Sequence, residues 1–418
     1  MTELSAPEKV PFRLSMLVYD RRYRSMTFQV VVFILFMAIG WWLVDNTLRN
    51  LAIMGKDFNF SFLWQRAGYD IPQTPIPYTA DDTHFRAAMV GLLNTLIVSI
   101  LGCIAATVLG VIIGVARLSK NWLIARLMTI YVEIFRNIPL LLWILIILAV
   151  FTELLPPPNA FRGENPTASM ILFDSVALTN RYTAVPTLTM SNDPGSLPLG
   201  ARITIDWAVI AFAVALIGGW LVRRAINGWA QRAQDRSGRR PTTWWINLAV
   251  MVLPSLALIR YFGIDLIEPE LRGFNFTGGM NLQNALVVLW LALTLYTAAF
   301  IAEIVRAGIM AVSKGQTEAA YALGLQPNRT MRLVVLPQAL RVIVPPLISQ
   351  YLNLTKNSSL AIAVGYMDLR GTLGGTTLNQ TGRELESIVL MMLIYLALSL
   401  IISGVMNIYN ARVRLKER

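Results

Sequence analysis

Six charged side chains interrupt runs of this chain that are otherwise apolar: Glu133, Arg136, Glu303, Arg306, Arg341 and Lys356. A charge in hydrocarbon is costly, so such a residue faces a cavity, a partner or another charge. Glu133 and Arg136 are three residues apart, as are Glu303 and Arg306. That spacing puts each pair on one face of a helix. An internal ion pair that only stabilises packing is the simpler account of both; contact with a polar solute crossing the membrane is the sharper one. Bond-breaking chemistry has no residues to work with. The single cysteine, Cys103, and the single histidine, His84, cannot form the usual zinc site. The chain has no G-x-x-x-x-G-K-[ST] loop to cradle nucleotide phosphates. It has neither a nucleophile elbow nor H-E-x-x-H. Any work done by this chain draws its energy from a partner or an ion gradient.

A second segment points to mechanical coupling. It begins Gly315, Gln316, Thr317, Glu318, Ala319, Ala320, Tyr321, Ala322, Leu323, Gly324 and runs on to Leu336 and Pro337. Ala319, Ala320, Ala322 and Leu323 favour a helix, and Gly324 is placed to end it. The helix is too short and polar to cross a bilayer. A short helix with a small-residue face suits docking in a groove of another protein; the plain alternative is an ordinary turn between two spans.

The elements around these residues follow from composition. Of 418 residues, 55% are hydrophobic and only 14% charged, and the mean hydropathy is +0.55. A soluble domain carries about 25% charged residues. The apolar residues cluster into stretches that match the ~20 residues needed to span hydrocarbon. Eight spans are predicted: 28–44, 88–116, 128–151, 207–222, 244–262, 285–312, 336–354 and 388–409. The first is the expected insertion signal, because the 27 residues before it are polar. With the N-terminus inside, the inner segments hold 21 Lys and Arg, among them Lys9, Arg13, Arg223, Arg224, Arg232, Arg236, Arg239, Arg240, Lys314, Arg414, Lys416 and Arg418; the outer segments hold 11. The positive-inside bias therefore places both termini in the cytoplasm, and an even number of spans agrees. The net charge of +12 is thereby accounted for without nucleic acid. The arginines at 223–240 read as a solvated inner loop rather than a lipid site. The outer loops, 45–87 and 153–206, are expected to face water and to be available to a partner, and no regular structure is assigned to them. Gly110 and Gly114, near Gly102, form a small-xxx-small pattern suited to close helix packing. Cys103 is expected as an apolar filler, His84 as a surface residue, and Trp41, Trp42, Trp207, Trp220, Trp244 and Trp245 as interfacial anchors.

Glu318-Ala319-Ala320, followed by Gly324, Val334, Leu336 and Pro337, resembles the EAA loop of ABC importer permeases, with valine where isoleucine is usual. The stretches Glu133 to Leu141, Ala302 to Ile309 and Lys356-Asn357-Ser358-Ser359-Leu360 are similar to the polar amino acid uptake branch, and the length is similar to the larger membrane subunit of general L-amino acid uptake systems. The resemblance implies an all-α membrane protein with a five-helix type I importer core, an extra N-terminal helix and an inserted hairpin. The implied division is 1–87 for tail, first span and outer loop, then a permease domain at 88–412 containing the 153–206 loop and the 207–262 hairpin. It implies an ATP-driven importer of glutamate, glutamine, aspartate, asparagine or broader L-amino acids in a bacterial inner membrane. Gly315, Gln316, Glu318, Ala319, Ala320, Gly324 and Pro337 would couple it to a dimer of ATP-binding subunits. ATP and magnesium would sit on that partner, with no cofactor on this chain. A second permease subunit, an outer amino-acid-binding protein and membrane lipid complete the implied partners. An amino acid needs an acceptor for its ammonium and donors for its carboxylate, so Glu303, Asn357, Ser358, Ser359 and Asn94 are the candidates along its path. Two other classes stand against this reading. An ion-coupled secondary transporter would show corresponding halves, and none is visible; a membrane-embedded enzyme would need a catalytic cluster.

Overall fold

The computed structural model describes residues 15–53, 55, 57–162, 166–198 and 204–413. Lys9, Arg13, Arg414, Lys416 and Arg418, which entered the charge bias, lie outside these. The chain divides into two units, Met1–Phe62 and Leu63–Arg418. The first holds a short α1 (Met16–Tyr19) and α2 (Arg21–Ile53). α2 is exposed along its apolar length, with Phe33, Phe36 and Trp41 more than half exposed. Its threonines hide their hydroxyls by donating to carbonyls four residues back, Thr27 to Tyr23 and Thr47 to Leu43. That is what lipid demands, since it offers no hydrogen bonds.

In the second unit α3 (His84–Ala116) starts where Thr83 Oγ1 accepts from the Arg86 amide. α4 (Trp122–Asn137) starts on Asn121, whose side-chain oxygen accepts from the Leu123 and Ile124 amides. These caps satisfy amides that a helix start leaves unpaired. α5 (Leu140–Ala149) follows and ends in a wide π-type turn, Val150–Leu154. The break at Ile138-Pro139 bends the two halves by 105°, so the continuous span expected at 128–151 is corrected to a broken one. Proline lacks an amide hydrogen and disfavours helical geometry in the residue before it. Next come α6 (Trp207–Ser237) and α7 (Trp244–Phe262), each ended by a left-handed glycine, Gly238 and Gly263. α6 runs well past the predicted 222. α8 (Asn284–Met310), α9 (Lys314–Ala322), α10 (Pro327–Thr330) and α11 (Leu336–Asn357) follow, with a wide π-type turn at Met331–Val335 and a tight 3-10 turn at Ser358–Val364. α12 (Leu369–Gly371), α13 (Leu378–Thr381) and α14 (Glu384–Val413) complete it. Among the described residues seven helices are long and apolar enough to cross a membrane, or eight if the bent pair is one span.

α8 is the centre of the bundle. Val288, Leu289, Ala292, Leu293, Ala298, Ala299, Ile301 and Ala302 are all fully buried. α3 lies against it through the predicted glycines. A Cβ at Gly110 would sit 2.7 Å from Ile301 Cβ, and one at Gly114 would sit 2.6 Å from the Ala302 carbonyl oxygen. Without side chains there, the backbones approach closely and gain dispersion contact that lipid cannot match.

Among the described residues, the stretches before α6 and after α7 form short antiparallel strands. β2 (Tyr182–Val185) pairs with both β1 (Ala177–Leu178) and β9 (Met280–Gln283). β3 (Thr187–Met190) pairs with β6 (Ile264–Ile267), β4 (Ser196–Pro198) with β5 (Thr204–Asp206), and β7 (Glu270–Arg272) with β8 (Asn275–Thr277). The β2–β9 and β3–β6 pairs join two stretches separated in sequence by α6 and α7. Asn284 fastens this layer to the start of α8, donating to the Thr179 carbonyl at 2.7 Å and accepting from Thr183 Oγ1 at 3.0 Å. His84 is a second correction: it is 3% exposed, and its Nδ1 lies 3.1 Å from Thr377 Oγ1.

Candidate functional site

The segment from Gly315 to Gly324 forms a helix with one exposed face. α9 follows Ser313 and stops at Gly324, whose φ of +79° is a left-handed cap. The Leu323 amide donates to Ala319, Gly324 to Tyr321 and Leu325 to Ala320. These bonds close the last turn and fold the chain back toward α10, as a left-handed C-terminal residue allows. Ala320 is buried, whereas Gly315, Gln316, Glu318, Ala319 and Gly324 are exposed. Tyr321 is 48% exposed, Leu323 83% and Leu333 63%. The helix thus turns one alanine inward and offers a carboxylate, a phenol ring and its cap residue Leu323 outward, with Leu333 exposed in the turn Met331–Val335. Gln338 Nε2 donates to Gln316 Oε1 at 3.4 Å, linking α9 to the first turn of α11, where Pro337 sits exposed. That bond ties α9 to α11, and three residues separate α9 from α8.

Glu303 belongs to an ion triad. Arg306 donates to its carboxylate from Nε at 3.1 Å and Nη2 at 2.6 Å, and Arg117 donates from Nη1. The pair read from the i,i+3 spacing is present. Arg117, the residue that caps α3, is the partner that sequence reasoning missed. Its side chain is 8% exposed, so the triad ties the end of α3 to α8. Beside it, a cavity of about 380 Å³ is lined by Arg136, Phe300, Glu303, Ser349 and Gln350 among others, with the Arg136 guanidinium 5.4 Å from the Phe300 ring centre. Glu133 accepts from Asn137 Nδ2 at 3.3 Å rather than pairing with Arg136.

The other path candidates lie elsewhere. Asn94 is 1% exposed; its Nδ2 donates to the Gln73 and Met367 carbonyls at 3.0 and 2.9 Å, while its Oδ1 is buried without a partner. Next to it Thr95 Oγ1 accepts from the Leu369 amide, and the Tyr366 hydroxyl donates to the Asn94 carbonyl. Ser358 is fully buried and donates to Thr355; Ser359 donates to the Lys356 carbonyl, and Asn357 is half-buried beside them. Tyr395, from α14, donates to Asp368 Oδ2 at 3.3 Å and lies beside Ser358 and Thr95. Asn94 and Ser358 therefore border one buried polar cluster, and Glu303 stands apart from it.

Asp368 is the residue of that cluster which sequence reasoning did not name. It is fully buried, in the stretch between α11 and α14. Its Oδ1 accepts from the Gly371 amide at 2.8 Å and its Oδ2 from the Tyr395 hydroxyl at 3.3 Å. Burial pushes the carboxyl up to about 6, against the pull of those donors and of Arg370. The signal available in the sequence was an acidic residue closing the apolar run Ala361 to Met367.

Residues 106–415 match the family described as binding-protein-dependent transport system inner membrane component. Over 429 aligned positions, the chain is 59% identical to the glutamate/glutamine/aspartate/asparagine transport system permease protein BztB of Rhodobacter capsulatus, with both chains covered completely. It is 44% identical to the general L-amino acid transport system permease protein AapQ of Rhizobium johnstonii, over 97% of this chain and 96% of that one. It is also 44% identical to the putative amino-acid ABC transporter permease protein YhdX of Escherichia coli, over 94% and 95%.

Proposed function

The chain belongs to the family of binding-protein-dependent transport system inner membrane components, and from that premise we propose how it moves its solute. It is a multi-pass inner-membrane protein and a permease subunit of an ABC amino acid transporter. The relatives support this reading and not an ion-coupled transporter. Our proposal takes glutamate, glutamine, aspartate and asparagine as cargo, following the relative of highest identity reported above, with import as the direction. Two ATP-binding subunits dock on α9 from the cytoplasm, where both termini also lie. ATP and magnesium act there. A second permease subunit and an outer binding protein complete the assembly.

The observation that carries this reading is the exposed face of α9, held in place by the Gly324 cap and joined to α11. ATP binding closes the partner subunits and shifts α9. α8 and α11 move with it, and the bundle alternates between outward and inward openings. The polar cluster around Asn94, Ser358 and Asp368 is our candidate for the amino acid's path, because it offers acceptors and donors in the same buried place. Glu303, Asn357 and Ser359 stay in the candidate set, Glu303 with its carboxylate already engaged by two arginines. Purification of the chain from its own membrane should bring down a P-loop ATPase, and uptake should persist when ion gradients are collapsed with ATP present. Uptake that fails with the gradients while ATP remains would overturn the proposal.

A further inference from the structure

α6 and α7 pack against each other as an antiparallel pair. Asn247 Nδ2 donates to Asn227 Oδ1 at 3.0 Å, and a Cβ at Gly219 would sit 3.1 Å from the Val250 carbonyl oxygen. This register sets the depth of the charged residues. Trp244 and Trp245 open α7 and are 68% and 57% exposed, as expected of anchors at a membrane interface. Arg223 and Arg224 of α6 then lie about one helical turn further into the membrane than these tryptophans. Both are exposed on the outside of the pair.

A guanidinium at that depth requires a counter-charge. Among the described residues the protein supplies none. Among the described residues, none of Arg223, Arg224, Arg232, Arg236, Arg239 and Arg240 forms an ion pair. Asp235 is the single acid between residues 220 and 245. Arg224 instead lies 5.7 Å from the ring centre of Trp220. Neighbouring apolar side chains, Ile217, Leu221 and Leu248, are about half exposed or more, so the surface around the arginines meets acyl chains.

We propose that the inner end of the α6–α7 pair is a binding site for anionic phospholipid headgroups. Arg223 and Arg224 reach along the helix to the phosphates, a stretch that long cationic side chains make readily. Trp229, Trp244 and Trp245 flank the glycerol region, and Trp220 lies about one turn deeper than the two arginines. Arg232, Arg236, Arg239 and Arg240 add a positive field at the water side, which selects a net negative headgroup over a zwitterionic one. Assignment to the inner leaflet rests on the orientation proposed above; the lipid site itself does not.

The test uses the full chain purified with its partners and reconstituted in nanodiscs. Brominated phosphatidylglycerol should quench tryptophan emission more than brominated phosphatidylcholine at equal content, and native mass spectrometry should find phosphatidylglycerol retained. R223Q/R224Q should lower that retention about 25-fold, from about five-fold per arginine near an anionic surface, while R223K/R224K should restore most of it. Equal quenching by the two lipids would overturn the proposal, as would unchanged retention in R223Q/R224Q or displacement of the lipid by 10 mM inorganic phosphate. A reporter in the 238–243 loop maps the leaflet separately, so a wrong orientation and a missing lipid site give different results.

Discussion

Replacing Gly114 with alanine should force α3 and α8 apart. The added Cβ would sit 2.6 Å from the Ala302 carbonyl oxygen and 2.9 Å from Val305 Cβ, where ordinary contact begins at 3.4 Å. The first gap is therefore 0.8 Å too small. The obstructing atom is helix backbone, which cannot rotate away as a side chain would. Relief requires α8 to shift, and overpacking of this kind costs about 1–3 kcal/mol. Gly218 in α6 is the control, because nothing lies within 4 Å of a Cβ there; Gly218→Ala should be neutral or gain up to about 1 kcal/mol from helix propensity. The assay is the temperature at which half of the detergent-solubilised protein loses its monodisperse elution peak. We expect Gly114→Ala to fall several degrees below wild type and Gly218→Ala to match or exceed it. Equal temperatures for the two variants would refute the argument that Gly114 exists for helix approach.

Three further outcomes follow from the site. Glu303→Gln should destabilise the protein by leaving Arg117, 8% exposed, beside a neutral amide; the double variant Glu303→Gln/Arg117→Gln should recover part of the loss, and a single variant as stable as wild type would remove the triad's structural role. Gly324→Ala should cost about 1 kcal/mol, because φ is +79° and no neighbour obstructs the new methyl group; thermal unfolding of the two proteins checks it. For Asp368 the folded carboxyl is raised from 3.8 to about 6, so the folded state holds its proton over that interval when the unfolded chain has released it. Its contribution is thus present at low pH and is lost as pH rises from about 4 to about 6, and Asp368→Asn should flatten that part of the stability profile.

The spans were legible because hydrocarbon thickness imposes length and composition on every one of them. The break at Pro139 was visible as a residue yet lost within a continuous apolar run, because a window average does not register a single missing amide hydrogen. The outer strands were not legible for a different reason: β2 is four residues long, and its partner β9 lies beyond two intervening helices. The burial of His84 depends likewise on Thr377, nearly three hundred residues away. Glu303–Arg306 could be read from local spacing, while Arg117 could not, because it reaches Glu303 only when α3 lies against α8. Asp368 stood just past the polar run that drew the path candidates, and its place beside Asn94 and Tyr395 exists only in the folded bundle.

In the proposed mechanism α9 is the surface on which ATP hydrolysis acts. A photo-crosslinking residue placed at Leu323, 83% exposed, tests it in the assembled transporter, with Leu216 on the lipid side of α6 as the reference position. We expect an adduct between position 323 and the P-loop ATPase whose yield changes when ATP is added, and none from position 216. A complex that hydrolyses ATP and transports amino acids while position 323 yields no ATPase adduct would contradict the account.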